Sequence, residues 1–108
     1  MQINPLKESE KWSALEDLPI TASAAVGKVT VSYRTNGSFV EVYAANGAYT
    51  SNSEVAVATL PAGLGPVTTM FIGLTESSTG YLRIQHNGSI LLKCPDAYGR
   101  AYTIYSCL

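Results

Sequence analysis

The sequence is short of nearly everything that reactive sites are built from. Its 108 residues hold one histidine, two cysteines and one tryptophan, and charged residues make up only 14%. A disordered chain needs high charge and few apolar residues, whereas 46% of this chain is hydrophobic. Its length suits one domain with a hydrophobic core that needs neither disulfides nor a metal to close. The seven basic residues are scattered and the formal net charge is −1, so no Lys/Arg stripe is present to neutralise a run of phosphates. Nucleic acid is therefore not an expected partner. No apolar run approaches a membrane span, so membrane insertion is not expected. Met1 to Lys11 is polar and mixed in charge, without the apolar h-region of a signal peptide. The expectation is a domain made in a cytoplasm, or a piece of a longer chain.

The same scarcity limits chemistry. The one histidine, His86, falls in a turn, with no nucleophile placed beside it by the pattern. Metal sites need clustered His, Cys, Asp or Glu at set spacings, and the Glu8/Glu10 and Glu16/Asp17 pairs read as a solvated face. No glycine-rich loop follows a strand and opens a helix. Glu41, Glu54, Glu76 and Asp96 fall on different elements, which gives no reason to expect a carboxylate pair for glycoside cleavage. The expectation is a protein that is not an enzyme and holds no metal or cofactor. Cys94 and Cys107 are expected as free thiols. If their strands form one hairpin through residues 95–100, the two lie about 20 Å apart at ~3.3 Å per residue, and a bridge needs Cα atoms within about 7 Å.

What the chain does have is a succession of strand patterns. Val29–Tyr33 alternates apolar and polar, Asn36-Gly37 marks a hairpin turn, and Ser38–Tyr43 alternates again. A two-residue turn pairs Tyr33 with Val40, Val31 with Val42 and Val29 with Ala44, gathering six apolar side chains on one face. Thr30, Ser32, Arg34, Phe39, Glu41 and Tyr43 take the other face. A three-residue turn would bring Glu41 opposite Val31, so the two-residue register is expected. A second hairpin spans Tyr81–Cys94. There a three-residue loop, His86-Asn87-Gly88, pairs Leu82 with Leu92 and Ile84 with Ile90, with glycine in a left-handed conformation. Further strands are expected at Glu54–Thr59, Val67–Leu74 and Ala101–Cys107, and a Pro/Gly loop at Leu60–Pro66. No segment keeps a helical period beyond a possible turn near Glu8–Glu16. The fold class is all-β, an antiparallel sandwich or barrel-like domain over residues 15–108, preceded by a polar linker or neck at 1–14, with Trp12 anchoring it.

Seven tyrosines suit a binding surface, because each offers a flat apolar face and a hydroxyl at low entropic cost. Tyr102 and Tyr105 read more simply as strand and core residues. Asp96-Ala-Tyr98-Gly-Arg100 places three groups able to meet a sugar in one five-residue loop. The candidate saccharide-binding residues are Tyr49, Asn52, Arg83, His86, Asp96, Tyr98 and Arg100.

The order of these features resembles a known group. Val57-Ala-Thr-Leu-Pro-Ala-Gly63, a following proline, Thr68-Thr-Met-Phe-Ile72, Tyr81-Leu-Arg-Ile-Gln-His-Asn-Gly-Ser-Ile90 and Tyr102-Thr-Ile-Tyr-Ser106 look like the C-terminal head domains of bacteriophage tail-fibre and baseplate receptor-binding proteins, such as those of phages infecting lactococci. The likeness runs from about Leu15 to Leu108, without the long shoulder and neck of complete receptor-binding proteins. It implies a homotrimer at the virion's tail tip that binds host cell-envelope polysaccharide during adsorption and sits among other tail or baseplate proteins. The group shares no single sugar-binding motif, so no site residue is transferred from it. Two other readings are a purely structural fibre cap or trimerisation domain without a ligand, and an enzyme acting on cell-wall polysaccharide.

Overall fold

The alternating segments close into two four-stranded antiparallel sheets, seen in a computed structural model that describes residues 11–108. The strands are β1 (Glu16–Asp17), β2 (Val29–Thr35), β3 (Phe39–Asn46), β4 (Ser51–Thr59), β5 (Met70–Gly73), β6 (Tyr81–Ile84), β7 (Ser89–Cys94) and β8 (Gly99–Ser106). The first sheet runs β1-β2-β3-β8 and the second β4-β7-β6-β5. The fold is a β-sandwich. One 3₁₀ turn, Ser23–Ala25, is the only helical element among the described residues.

The core lies where the two apolar faces meet. Val29, Val31, Tyr33, Val40, Val42 and Ala44 from the first sheet, and Leu82, Ile84, Ile90, Leu92 and Cys94 from the second, are all buried. Each fully buried aliphatic side chain of this size contributes about 1.5–3 kcal/mol. Both inner faces are the ones that the period-two alternation selects.

The second hairpin has the expected register, Leu82 opposite Leu92 and Ile84 opposite Ile90. Gly88 takes φ +91°, and the Asn87 side chain accepts from the Ser89 N–H at 3.0 Å. The first hairpin differs. Tyr33 pairs with Val42, Val31 with Ala44 and Thr35 with Val40, two residues from the expected register. Local side chains cause the slip. Asn36 Oδ1 accepts from the Ser38 and Phe39 N–H groups at 3.0 and 2.8 Å, and Thr35 Oγ1 donates to the Phe39 carbonyl at 2.7 Å. These bonds hold residues 36–39 as a longer turn. A shift of two preserves parity, so the same six side chains are buried.

Three further expectations change. The 67–74 strand shortens to Met70–Gly73, and the 54–59 strand lengthens to begin at Ser51. The strands carrying the cysteines do not form a hairpin: β7 and β8 belong to different sheets, because the chain crosses between layers at Tyr98 and Gly99, with φ 70° and 148°. Both thiols are nevertheless free, Cys94 buried and Cys107 partly so. Of the expected linker, residues 1–10 lie outside the described residues. At its end Ser13 N donates to the Thr35 carbonyl at 2.7 Å, and the Arg34 guanidinium lies 5.1 Å from the Trp12 ring centre, so this part is held to β2.

Loop 60–66 is pinned to the β6–β7 turn. Leu60 N donates to Gly88 O at 2.9 Å, and His86 Nδ1 donates to Pro66 O at 2.8 Å. Tyr105, buried on β8, donates its hydroxyl to Leu64 O at 2.6 Å.

Candidate functional site

Strand pairing fixes what stands on the outer face of the first sheet. Ser32 lies opposite Tyr43, Tyr43 opposite Tyr102, Thr30 opposite Ala45, and Ala45 opposite Arg100. Thr30 and Ala45 are small, so the face is low between the tyrosine pair and the β7–β8 turn. Two adjoining hollows occupy that depression, of about 290 and 410 Å³, sharing Thr30, Ala45, Thr75 and Arg100 as walls. Together they form one groove across the sheet.

At one end the Tyr43 and Tyr102 rings pack with centroids 4.8 Å apart, tilted by 46°. Tyr102 is 50% exposed. The Tyr43 hydroxyl donates to Glu41 Oε2 at 2.5 Å, and Glu41 accepts two hydrogen bonds from Arg34, at 2.9 and 3.2 Å. The Arg34 guanidinium, then the Tyr43 hydroxyl, hold the Glu41 carboxyl below its usual range. The hydrogen bond to Glu41 raises the Tyr43 phenol. Glu41 stays buried on an otherwise exposed face because these partners satisfy it.

The other end is polar. The larger hollow is lined by Lys28, Asn46, Glu76, Tyr98 and Arg100, among others. The loop after β5 reaches it through paired contacts: Thr75 N donates to Arg100 O at 3.0 Å, and Arg100 N donates to Thr75 Oγ1 at 3.0 Å. Among the described residues, Glu76 and Tyr98 are the non-glycine residues with positive φ, 63° and 70°. Both line this hollow. Such a conformation costs a non-glycine residue about 1–3 kcal/mol and persists only where its surroundings enforce it. Tyr98 is 62% exposed. Its backbone is fixed by Tyr98 N donating to Gly47 O at 2.8 Å.

Of the sequence candidates, the groove brings together Tyr98 and Arg100. Asp96 is exposed in the same turn and is not among the lining residues. Tyr49 is 8% exposed; its backbone is clamped by Asn46, which donates to Tyr49 O at 2.8 Å and accepts from Tyr49 N at 3.1 Å. Asn52 is exposed on β4. His86 holds loop 60–66 at the opposite end of the sandwich. Arg83 stands on the outer face of the second sheet. Its Nε lies 2.8 Å from Glu54 Oε2, an ion pair rather than a well-directed hydrogen bond, and its guanidinium lies 5.9 Å from the Phe71 ring centre. Alternation along the strands assigns Tyr43 an outward position, but nothing local in the sequence foretells that Tyr102 packs against it or that Lys28, Thr75 and Glu76 join the groove.

The groove carries hydroxyl, amide, guanidinium and ammonium groups along its walls. Its one lining carboxylate is Glu76, and Glu41 is engaged by Arg34 and Tyr43. Among the described residues no group of three or more His, Cys, Asp or Glu could hold a metal ion. No protein-family model matches the sequence, and no curated protein matches it.

Proposed function

We propose that this protein is a saccharide-binding domain whose groove on the β1-β2-β3-β8 sheet recognises glycans of a bacterial cell surface. The observation that carries the reading is Tyr98: an exposed ring held by an unfavourable backbone conformation at the rim of a polar hollow, which adjoins a tyrosine pair. Sugars present C–H faces and hydroxyls together. Tyr98, Tyr43 and Tyr102 supply flat apolar faces. Arg100, Lys28, Glu76, Ser32 and Thr75 supply hydrogen-bonding groups along the same groove. Recognition of a host surface by a phage tail rests on the resemblance of the sequence to receptor-binding heads, an analogy of pattern.

Glycan arrays and host cell-wall fractions test this. Binding by the intact protein is expected. Tyr98→Ala and Arg100→Ala should each weaken it about tenfold, equivalent to ~1.4 kcal/mol. Phe71→Ala, on the far sheet, should leave it unchanged. Retention that survives Tyr98→Ala and Arg100→Ala removes the groove from recognition. No retention on any glycan favours a structural virion module instead.

A further inference from the structure

A β-sandwich leaves the outer strands of its sheets with unpaired backbone groups, and proteins blunt such edges with shortness, charge, proline, bulges or cover. Three of the edges here are blunted. β1 is two residues long and acidic, and β5 is four residues long. β4 has two register irregularities, and Thr21 N donates to Val57 O across its edge at 2.9 Å.

At β8, β5 approaches from the second sheet and Thr75 after it covers Arg100, but the rest of the strand carries no charge, proline or bulge. β8 pairs with β3 without a bulge from Gly99 to Ser106. After Arg100 it reads Ala-Tyr-Thr-Ile-Tyr-Ser, with no charge and no proline. Its outward backbone groups are identified by two bonds. Arg100 turns its N–H and C=O away from β3 toward Thr75, while Cys107 N points inward to Ser38 O at 2.9 Å. By alternation, the N–H and C=O groups of Tyr102, Ile104 and Ser106 face the open edge. Among the described residues they have no backbone partner.

We infer that this edge pairs antiparallel with β8 of a second copy, about a twofold axis at Ile104. Outward residues then meet outward residues, Ile104 beside Ile104 of the second copy and Tyr102 beside Ser106, in about six new backbone hydrogen bonds. The arrangement is self-complementary. The seam carries no charge, and the nearest carboxylate in that row, Glu41 opposite Ile104, is neutralised by Arg34. Two like copies therefore meet without repulsion. Phe39 pairs with Ser106 and is 45% exposed, and Ile104 is 47% exposed. Tyr43 and Tyr102 remain on the groove face, so the contact consists of the backbone strip with Ile104 and Ser106 along it, below the ~1,200 Å² at which specific interfaces begin. The association is thus expected to be reversible and concentration-dependent. The pairing joins the two outer faces into one sheet and sets two grooves on the same side.

Sedimentation velocity and light scattering on the full chain over a concentration series test it. The expected result is a species of twice the 11.5 kDa chain mass at high concentration. Ile104→Pro removes an outward N–H that has no backbone partner among the described residues, as an edge proline does, and should give a monomer with an unchanged circular dichroism spectrum. Ile104→Val should remain dimeric. Should Ile104→Pro fail to fold, Ile104→Lys places charge at the seam and is expected to be monomeric. A wild-type chain that stays monomeric, a trimer, or a dimer unaffected by the folded variants overturns the inference.

Discussion

Replacing Gly65 with alanine tests how loop 60–66 is held. A Cβ at this position would lie 2.1 Å from His86 O, 2.7 Å from His86 C and 2.8 Å from Gln85 O. Non-bonded heavy atoms attract at about 3.5–4.0 Å, so the loop must lift by roughly 1 Å or more. All three atoms are backbone, so no rotamer change relieves the contact. Lifting strains the bonds that seat the loop, from Leu60 N to Gly88 O, His86 Nδ1 to Pro66 O and the Tyr105 hydroxyl to Leu64 O. Overpacking costs about 1–3 kcal/mol, and a lost hydrogen bond adds about 1 kcal/mol. The expected loss is therefore about 2–4 kcal/mol. Gly63 is the internal reference: it has φ +84° and nothing within 4 Å of its would-be Cβ, so alanine there meets only the left-handed conformational cost of about 1–2 kcal/mol. Urea unfolding followed by circular dichroism should show the Gly65→Ala midpoint lowered by roughly 1–2 M, more than that of Gly63→Ala. Equal midpoints, or a smaller loss at Gly65, would refute the close packing of this loop on the turn.

Other outcomes follow from single contacts. Tyr105→Phe removes the buried hydroxyl that donates to Leu64 O and should cost about 1–2 kcal/mol, read as a lower thermal midpoint. Glu41 is held below its usual pKa by Arg34 and then Tyr43, so its contribution is present above the unfolded carboxylate value, about 4.3. It is lost as the pH falls through the lower folded value. Thermal midpoints measured from pH 6 to pH 2 should therefore show a shallower acid decline in Glu41→Gln than in wild type; parallel curves would argue against the Arg34–Glu41–Tyr43 network. Burial raises the Cys94 thiol, whereas Cys107 is partly exposed near the Gly37 carbonyl. A thiol reagent should modify Cys107 in the native protein and reach Cys94 only on unfolding, as peptide mass mapping would reveal.

The two hairpins differ in how far local sequence specifies them. At Gln85–Ser89 the Asn-Gly pair and the facing leucines and isoleucines demand the same register, and the structure adopts it. At Thr35–Phe39 the Thr35 and Asn36 side chains capture backbone groups that a tighter turn would have paired, and register moves by two. The apolar alternation cannot detect this, because a shift of two leaves every side chain on its own face. The candidate site divides in the same way. Tyr98 and Arg100 share a turn with Asp96, which made them visible together. Tyr49, His86 and Arg83 are polar or aromatic residues of the same kinds, yet burial, loop anchoring and the Glu54 pair engage them elsewhere.

The sequence alone determined the all-β class, the inner face of each sheet and the second hairpin. These follow from period-two alternation and turn residues, whose forces act between near neighbours along the chain. The tertiary structure decided the rest. It separated β7 and β8 into different sheets and set β8 beside β3, so Tyr102 meets Tyr43, and it brought Thr75 and Glu76 to Arg100. These are contacts between residues about 25 or more positions apart. They arise from burying both sheets' apolar faces against each other, and no local pattern encodes which strand becomes whose neighbour.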